Sequence, residues 1–303
     1  MNIKTVTLLG ADGKLGPAIL HALLAADFTV TVLKRTSSKS PDNTYPSHVT
    51  VRRVSDDFTL DTLVPVLQGQ DAVVVTIKGT QTGVQTKLAR ACVQAGVRRF
   101  IPADFGSCDS SSAWAQSLVP LFKHKTELRD VLMQLADESK AFSWTSLVCG
   151  HFFDWSPEFL HVWVRERRAE TIDGGHAKWS ASTLARIGEA TARILLRPEE
   201  TENRVVYVQS FLVSQVEVVR AYERATDSQW AVKDFESKRY EREEKAKADG
   251  GDREAVENLV WLLGTLDGNW EEKDGFAMKL LGLENENLDA VVRGVVEEHA
   301  SKS

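Results

Sequence analysis

Short apolar runs alternate with amphipathic stretches through the first half of the chain. Val6-Thr7-Leu8-Leu9 has the pattern of a buried strand. Residues 14–26 follow, with Leu15, Ile19, Ala22 and Leu23 at helical spacing. Further strands are predicted over 28–33, 49–54, 71–77, 99–101 and 142–148; the segment DAVVVTI is apolar almost throughout. Helices are predicted over 60–67, where Pro65 limits the length, over 82–95, which Gly96 stops, and over 114–137 with an interruption near Pro120. This order predicts an α/β fold, a doubly wound parallel sheet covered by helices on both faces.

After Gly150 the pattern loosens, and Trp155, Phe159, Trp163 and Trp179 fall in a stretch without clean alternation. A helix returns over 182–196, with Pro198 just beyond it, and a strand over 205–208. From residue 211 onward the chain reads as helical and charged. The run KRYEREEKAKADGGDRE interleaves both signs, as a solvated helix and loop does. The expected division is a sheet domain over 1–153, rejoined by about 180–210. A smaller, mostly helical lobe is expected from 154–179 and 211–303.

Of the 303 residues, 43% are hydrophobic, enough for a sizeable core. The net charge of −6 argues against a duplex-binding protein, so no nucleic-acid partner is expected. Cys92, Cys108 and Cys149 are widely spaced with no CxxC pair, which predicts free thiols in a reducing compartment. The opening MNIKTVTLLGADG reads as strand and glycine turn rather than a signal peptide, and no apolar run approaches the ~20 residues of a membrane span. A cytoplasmic location and no membrane partner are the expectations. The histidines and cysteines show no metal-ligand spacing, so no metal is expected.

Between the first strand and first helix lies Gly10-Ala-Asp-Gly13-Lys-Leu-Gly16, a GxxGxxG loop. Gly10 permits the tight turn, Gly13 lets backbone approach a pyrophosphate, and Gly16 allows close helix packing. The helix N-terminus adds unpaired N–H groups and partial positive charge. In this context the motif predicts a Rossmann-type dinucleotide site contacted by Gly10, Asp12, Gly13, Lys14, Leu15 and Gly16. The Asp12 carboxylate is expected to point outward, because an anion is unwelcome beside phosphate.

The end of the second strand separates the two nicotinamide dinucleotides. NAD sites place an acid there to bind the ribose hydroxyls. This chain has Leu33-Lys34-Arg35-Thr36-Ser37-Ser38-Lys39 instead. Arg35 can stack on adenine or clamp a 2′-phosphate through its planar fork, Thr36, Ser37 and Ser38 offer hydroxyls, and Lys39 offers a second charge. The cofactor expected is NADPH/NADP+.

The segment Arg98-Arg99-Phe100-Ile101-Pro102-Ala103-Asp104-Phe105-Gly106 closely resembles the VKRFIPSEFG-type segment of the NmrA-like and isoflavone reductase-like families, atypical short-chain dehydrogenase/reductase relatives. The resemblance extends to the glycine loop, to Pro120-Leu121-Phe122-Lys123-His124-Lys125, to Cys149-Gly150-His151-Phe152-Phe153-Asp154-Trp155 and to PEETENRVVYVQSF. It looks like the branch common in fungal secondary metabolism. The family implies NADPH-dependent reduction of a small, often aromatic substrate; some relatives bind the dinucleotide as non-catalytic regulators. Lys125 matches the family lysine. The tyrosine of the YxxxK pair is absent, with Leu121 four residues before the lysine, and Ala103 and Asp104 replace the family's Ser and Glu.

Hydride transfer is chiefly the cofactor's work, so the protein must position it and handle a proton. Lys125 is the first candidate, either as proton donor or as a cofactor contact. His151, directly after the sixth strand, is an alternative acid/base or substrate donor, although a histidine beside Phe152 and Phe153 also reads as a packed residue. Phe105, His151, Phe152, Phe153, Trp155 and Trp179 are candidate substrate contacts, with core packing as the competing reading for the aromatics. Ile77, Lys78, Gly79 and Phe105 are expected beside the nicotinamide. The expected partners are a small molecule and, at most, a second copy of the chain.

Overall fold

The computed structural model describes residues 2–301. The predicted alternation is present: β1 (Thr5–Leu9), α1 (Gly16–Ala25), β2 (Thr29–Arg35), β3 (Thr50–Val54), α2 (Leu60–Leu67), β4 (Ala72–Val75), α3 (Thr82–Ala95), β5 (Arg99–Ile101), α4 (Ala113–Leu118), α5 (Pro120–Glu138) and β6 (Ser143–Val148). The interruption expected near Pro120 is the α4–α5 junction. Val119 is extended, as a residue before proline prefers, and Pro120 starts α5, where its missing N–H costs nothing. β4 ends at Val75, just short of its apolar run; Thr76 still donates its N–H to the Leu9 carbonyl at 2.8 Å, and its hydroxyl turns to the carbonyls of Leu9 and Gly10.

The later elements are β7 (His151–Phe152), β8 (Val162–Trp163), β9 (Arg168–Ile172), β10 (Lys178–Ser182), α6 (Leu184–Leu196), β11 (Arg204–Tyr207), β12 (Phe211–Ser214), α7 (Gln215–Thr226), β13 (Ala231–Phe235), α8 (Ser237–Asp249), α9 (Arg253–Leu266), α10 (Met278–Leu281) and α11 (Leu288–Ser301). The chain forms two compact units. One takes the chain up to Phe105 with Lys123–Leu147 and Ile187–Val206. The other takes Gly106–Phe122, Val148–Arg186 and the chain from Tyr207 onward.

The first unit is built on a seven-stranded sheet of order β11-β6-β5-β4-β1-β2-β3. The pairs from β3 through β6 are parallel. Every residue of β4 is buried, as a central strand covered on both faces requires. Strand order reverses between β1 and β4, the place where such sheets open a crevice at their carboxyl ends. Arg99 is fully buried and donates to Ser143 Oγ (2.9 Å), Thr145 Oγ1 (2.9 Å), Thr201 Oγ1 (3.0 Å) and the Pro198 carbonyl. Burial lowers its pKa to about 10. These bonds tie β5 and β6 to the turn before β11 and satisfy a cation that would otherwise be costly to bury.

The second unit differs from the smaller helical lobe expected. It is comparable in length to the first and holds two three-stranded sheets, β12-β10-β7 and β13-β9-β8, beside its helices. The short pairs β7 and β8 are too brief to show alternation, and β13 is largely exposed, so neither carries a legible strand signal. Its core gathers Phe153, Trp179, Phe211, Tyr222 and Trp230. Ser214 caps α7 in a capping box with Glu217. No helix among the described residues is long and apolar enough to cross a membrane.

Candidate active site

The glycine loop joins β1 to α1 under tight steric control. Gly10 has φ of 100°, a conformation glycine adopts without strain. The Gly13 N–H closes the turn onto the Gly10 carbonyl at 3.0 Å. A Cβ at Gly16 would lie 2.2 Å from the Gly10 carbonyl oxygen, so the helix can begin there only with glycine. A Cβ at Gly13 would meet that oxygen at 3.2 Å, a milder contact. No side chain caps α1, leaving its first N–H groups for a ligand.

Beside this loop is a cavity of about 240 Å³. Gly10, Asp12, Gly13, Arg35 and Ser38 form its polar wall, and Leu33, Phe58, Ile77 and Val84 an apolar one. Backbone exposed at two glycines and an apolar wall suit a pyrophosphate joined to a planar base. Of the other expected cofactor contacts, Leu15 is buried beneath the loop, Lys14, Lys39 and Lys78 are exposed, and none lines this cavity.

The turn after β2 departs from its sequence reading. Ser37 spends both donors on Asp56: its N–H lies 3.0 Å from Oδ1, and its hydroxyl donates to Oδ2. Those bonds hold the Asp56 carboxyl below its usual range. In this structure Ser37 anchors the turn to Asp56. The Thr36 hydroxyl is likewise taken by the Val54 carbonyl at 2.9 Å. Arg35 and Ser38 remain in the cavity wall.

Asp12 is also corrected. Far from turning away, its carboxylate accepts from Ser40, Tyr45 and Lys34, the last at 3.2 Å. Partial burial raises its pKa, but those three hydrogen bonds outweigh it and hold it below the usual value. Lys34 is almost fully buried, 3.2 Å from Asp42 as well, and donates to the Ser40 carbonyl at 2.9 Å. Arg53 on β3 braces the same turn from the carbonyls of Arg35, Thr36 and Ser38, and pairs with Asp42 at 2.9 Å. The sequence reading missed Lys34, Arg53, Tyr45 and Asp56. The available signal was the pair of polar residues, Arg52-Arg53, inside a strand pattern.

At the end of β5, Asp104 is buried and organises α5. Arg129 donates to its Oδ2 through Nε at 2.8 Å and Nη2 at 2.5 Å, and the Ser146 hydroxyl joins them. Lys125, also buried, donates to the Asp104 backbone carbonyl and lies 3.6 Å from Oδ1. Burial alone would raise the Asp104 pKa; the charges of Arg129 and Lys125 and the hydrogen bonds keep it below the ordinary value. Lys125 borders a small recess with Gly79 and Gln85. Phe105 is buried, with φ of 36°. Lys123 and His124 face solvent, as one-residue spacing from Lys125 predicts.

In the second unit the aromatic candidates separate. Phe153 is fully buried against Phe211 at 4.8 Å between centroids, and Trp179 lies in the same core. Both are corrected from pocket lining to packing. His151 is also packed, 1% exposed between Phe159 and Trp179, with Nε2 3.3 Å from the Trp261 carbonyl of α9. A Cβ on Gly264 would overlap its ring. Burial drives its pKa down to about 4, which favours the neutral imidazole near neutral pH. Phe152 and Trp155 stay partly open, 6.2 Å apart edge to face. No three His, Cys, Asp or Glu side chains gather as a metal site among the described residues.

The profile of the NmrA-like family matches residues 2–245. Oxidoreductase aprR of Aspergillus flavus is 32% identical over 98% of this chain and 100% of its own. Oxidoreductase poxI of Penicillium oxalicum is 30% identical over 95% of this chain and 92% of its own. Among solved structures, the binary complex of leucoanthocyanidin reductase with NADPH from Vitis vinifera aligns with a TM-score of 0.78 over 97% of this chain and 99% of that one, at 17% identity. That likeness concerns the fold.

Proposed function

Because the chain belongs to the NmrA-like family, we propose that it is an NADPH-dependent reductase that transfers a hydride to a small aromatic or polyketide-like carbonyl or enone. The observation that carries this reading is the cavity at the sheet's reversal point. It joins a glycine loop to an apolar wall, with Arg35 and Ser38 at the end where NAD sites place an acid. The near full-length relatives named oxidoreductases support it.

When bound, NADPH supplies the hydride. Gly10, Gly13 and the start of α1 would hold the pyrophosphate, and Arg35 and Ser38 the ribose phosphate. Lys125 would meet the charge that develops on the substrate oxygen, with Asp104 fixing its ammonium group. Phe152 and Trp155 are the remaining aromatic candidates for substrate.

A non-catalytic NADP(H) sensor is the second reading, favoured by the burial of Lys125 against Asp104 and by Leu121 at the tyrosine position. The deciding experiment follows NADPH oxidation with a panel of aromatic ketones, enones and quinones and identifies the products. Turnover of one substrate class establishes the reductase. Binding of both NADPH and NADP+, with different affinities and no turnover across the panel, establishes the sensor.

A further inference from the structure

The pocket end that the sequence marks as basic is electrically balanced in the structure. Lys34, Arg35 and Arg53 stand there against Asp12, Asp42 and Asp56. Two of these carboxylates, Asp12 and Asp56, line the cavity itself. Asp56 is occupied by Ser37. Asp12 differs, because it belongs to the glycine loop and reaches across to the segment after β2. There it collects the donors an incoming oxyanion would seek: a buried ammonium and two hydroxyls. Its side chain remains 37% exposed, so its charge is felt in the cavity.

We propose that Asp12 is a resident anion that holds Lys34, Ser40 and Tyr45 in place of a ribose phosphate and so limits the pocket's preference for a 2′-phosphorylated dinucleotide. A phosphate dianion entering beside Arg35 and Ser38 gains their donors, but it also meets a carboxylate in the same wall. A dinucleotide without the 2′-phosphate brings only the pyrophosphate charge that both cofactors share. The extra dianion is what the Asp12 carboxylate opposes in one cofactor and not the other, so Asp12 acts chiefly on discrimination between them. The inference rests on reading this cavity as a dinucleotide site.

The test is calorimetric binding of NADPH, NADH, 2′,5′-ADP and 5′-ADP to the wild type, Asp12→Asn and Asp12→Ser, with thermal melts to confirm folding. Two variants guard against one that fails to fold. Removing the carboxylate should tighten NADPH and 2′,5′-ADP by roughly ten-fold and leave NADH and 5′-ADP within about two-fold, since one unit charge a few ångströms away in a partly aqueous site has that effect. The gain should shrink at high salt. Unchanged or weaker binding of the 2′-phosphorylated ligands, in variants that fold, overturns the proposal and makes Asp12 a strap anchor. If the wild type binds none of the four ligands, the dinucleotide reading fails first and takes the inference with it.

Discussion

Lys125 meets Asp104 twice, through the backbone carbonyl and across 3.6 Å to the carboxylate, while Arg129 holds the other carboxylate oxygen of the same aspartate. One buried carboxylate thus serves two buried cations, and the position of the ammonium group is set by residues of the segment after β5, of α5 and of β6 together. Lys125→Ala should lower turnover by roughly 10²–10⁴-fold, the range for losing a general acid or base, and should change NADPH affinity much less. Lys125→Arg should rescue poorly, because a guanidinium does not readily release a proton. Steady-state kinetics beside NADPH titration checks both; full turnover in the alanine variant removes the lysine from the chemistry.

The same cluster carries a pH signature. The native pKa of Asp104 lies below its unfolded value, about 3.9. Its contribution to stability is therefore complete above that value and is lost as pH falls through the depressed native one. Asp104→Asn leaves two buried cations without their carboxylate and should cost about 3–5 kcal/mol at pH 7. Urea unfolding at stepped pH should show the gap between wild type and variant closing in acid. A gap constant down to the acid limit would mean the pair is not coupled as described.

His151 works in the same direction but in a higher window. Its native pKa of about 4 lies below the unfolded value of about 6.5. The unfolded chain takes up that proton first, so stability is complete above about pH 6.5 and falls between there and pH 4. The loss is on the order of 3 kcal/mol. His151→Leu should flatten this limb, and turnover at neutral pH should be unaffected. A large fall in kcat for a folded His151→Leu protein would return the imidazole to the mechanism.

Arg35→Ala should weaken NADPH by roughly 10- to 100-fold, the value of charge-assisted hydrogen bonds to one phosphate, and leave NADH nearly unchanged. Fluorescence titration of both cofactors measures this, and an equal loss for the two would place Arg35 on the shared adenosine instead.

Two glycines of the loop should separate binding from folding. At Gly16 a methyl group would strike the Gly10 carbonyl at 2.2 Å, so Gly16→Ala should lower the melting temperature and affinity together. Gly13 has more room, with its first contact at 3.2 Å, so Gly13→Val should keep most of the stability and lose dinucleotide binding. Melting curves paired with calorimetry distinguish the two, and a Gly13→Val protein that binds NADPH normally would rule out the loop as the phosphate site.

Elements of the parallel sheet were legible because its central strands are buried on both faces and its helices carry an apolar stripe; the AVVV run of β4 and the Gly96 stop of α3 are examples. The glycine loop was legible because its sterics admit few residues. What stayed hidden depends on pairings distant in sequence. Asp12 reads as an oddity until Tyr45 is beside it, and Ser37 as a free hydroxyl until Asp56 arrives from the end of β3. Local pattern likewise could not tell the buried Phe153 from the partly open Phe152, since in β7 and its neighbours two or three residues decide which face is core.

The sheet's last strand, β11, lies next to β6, yet the chain enters the second unit at Val148 and returns only at Ile187. During synthesis the first unit therefore cannot finish its sheet while β6 waits at an open edge, and Arg99 has no Thr201 or Pro198 to receive its donors. The late, non-local closure of β11 makes it a slow step in folding, and the interval before it is when an exposed strand edge can pair with another chain. Chains released before residue 201 should for that reason aggregate, while chains long enough to include β11 should acquire protected amide protons in β5 and β6.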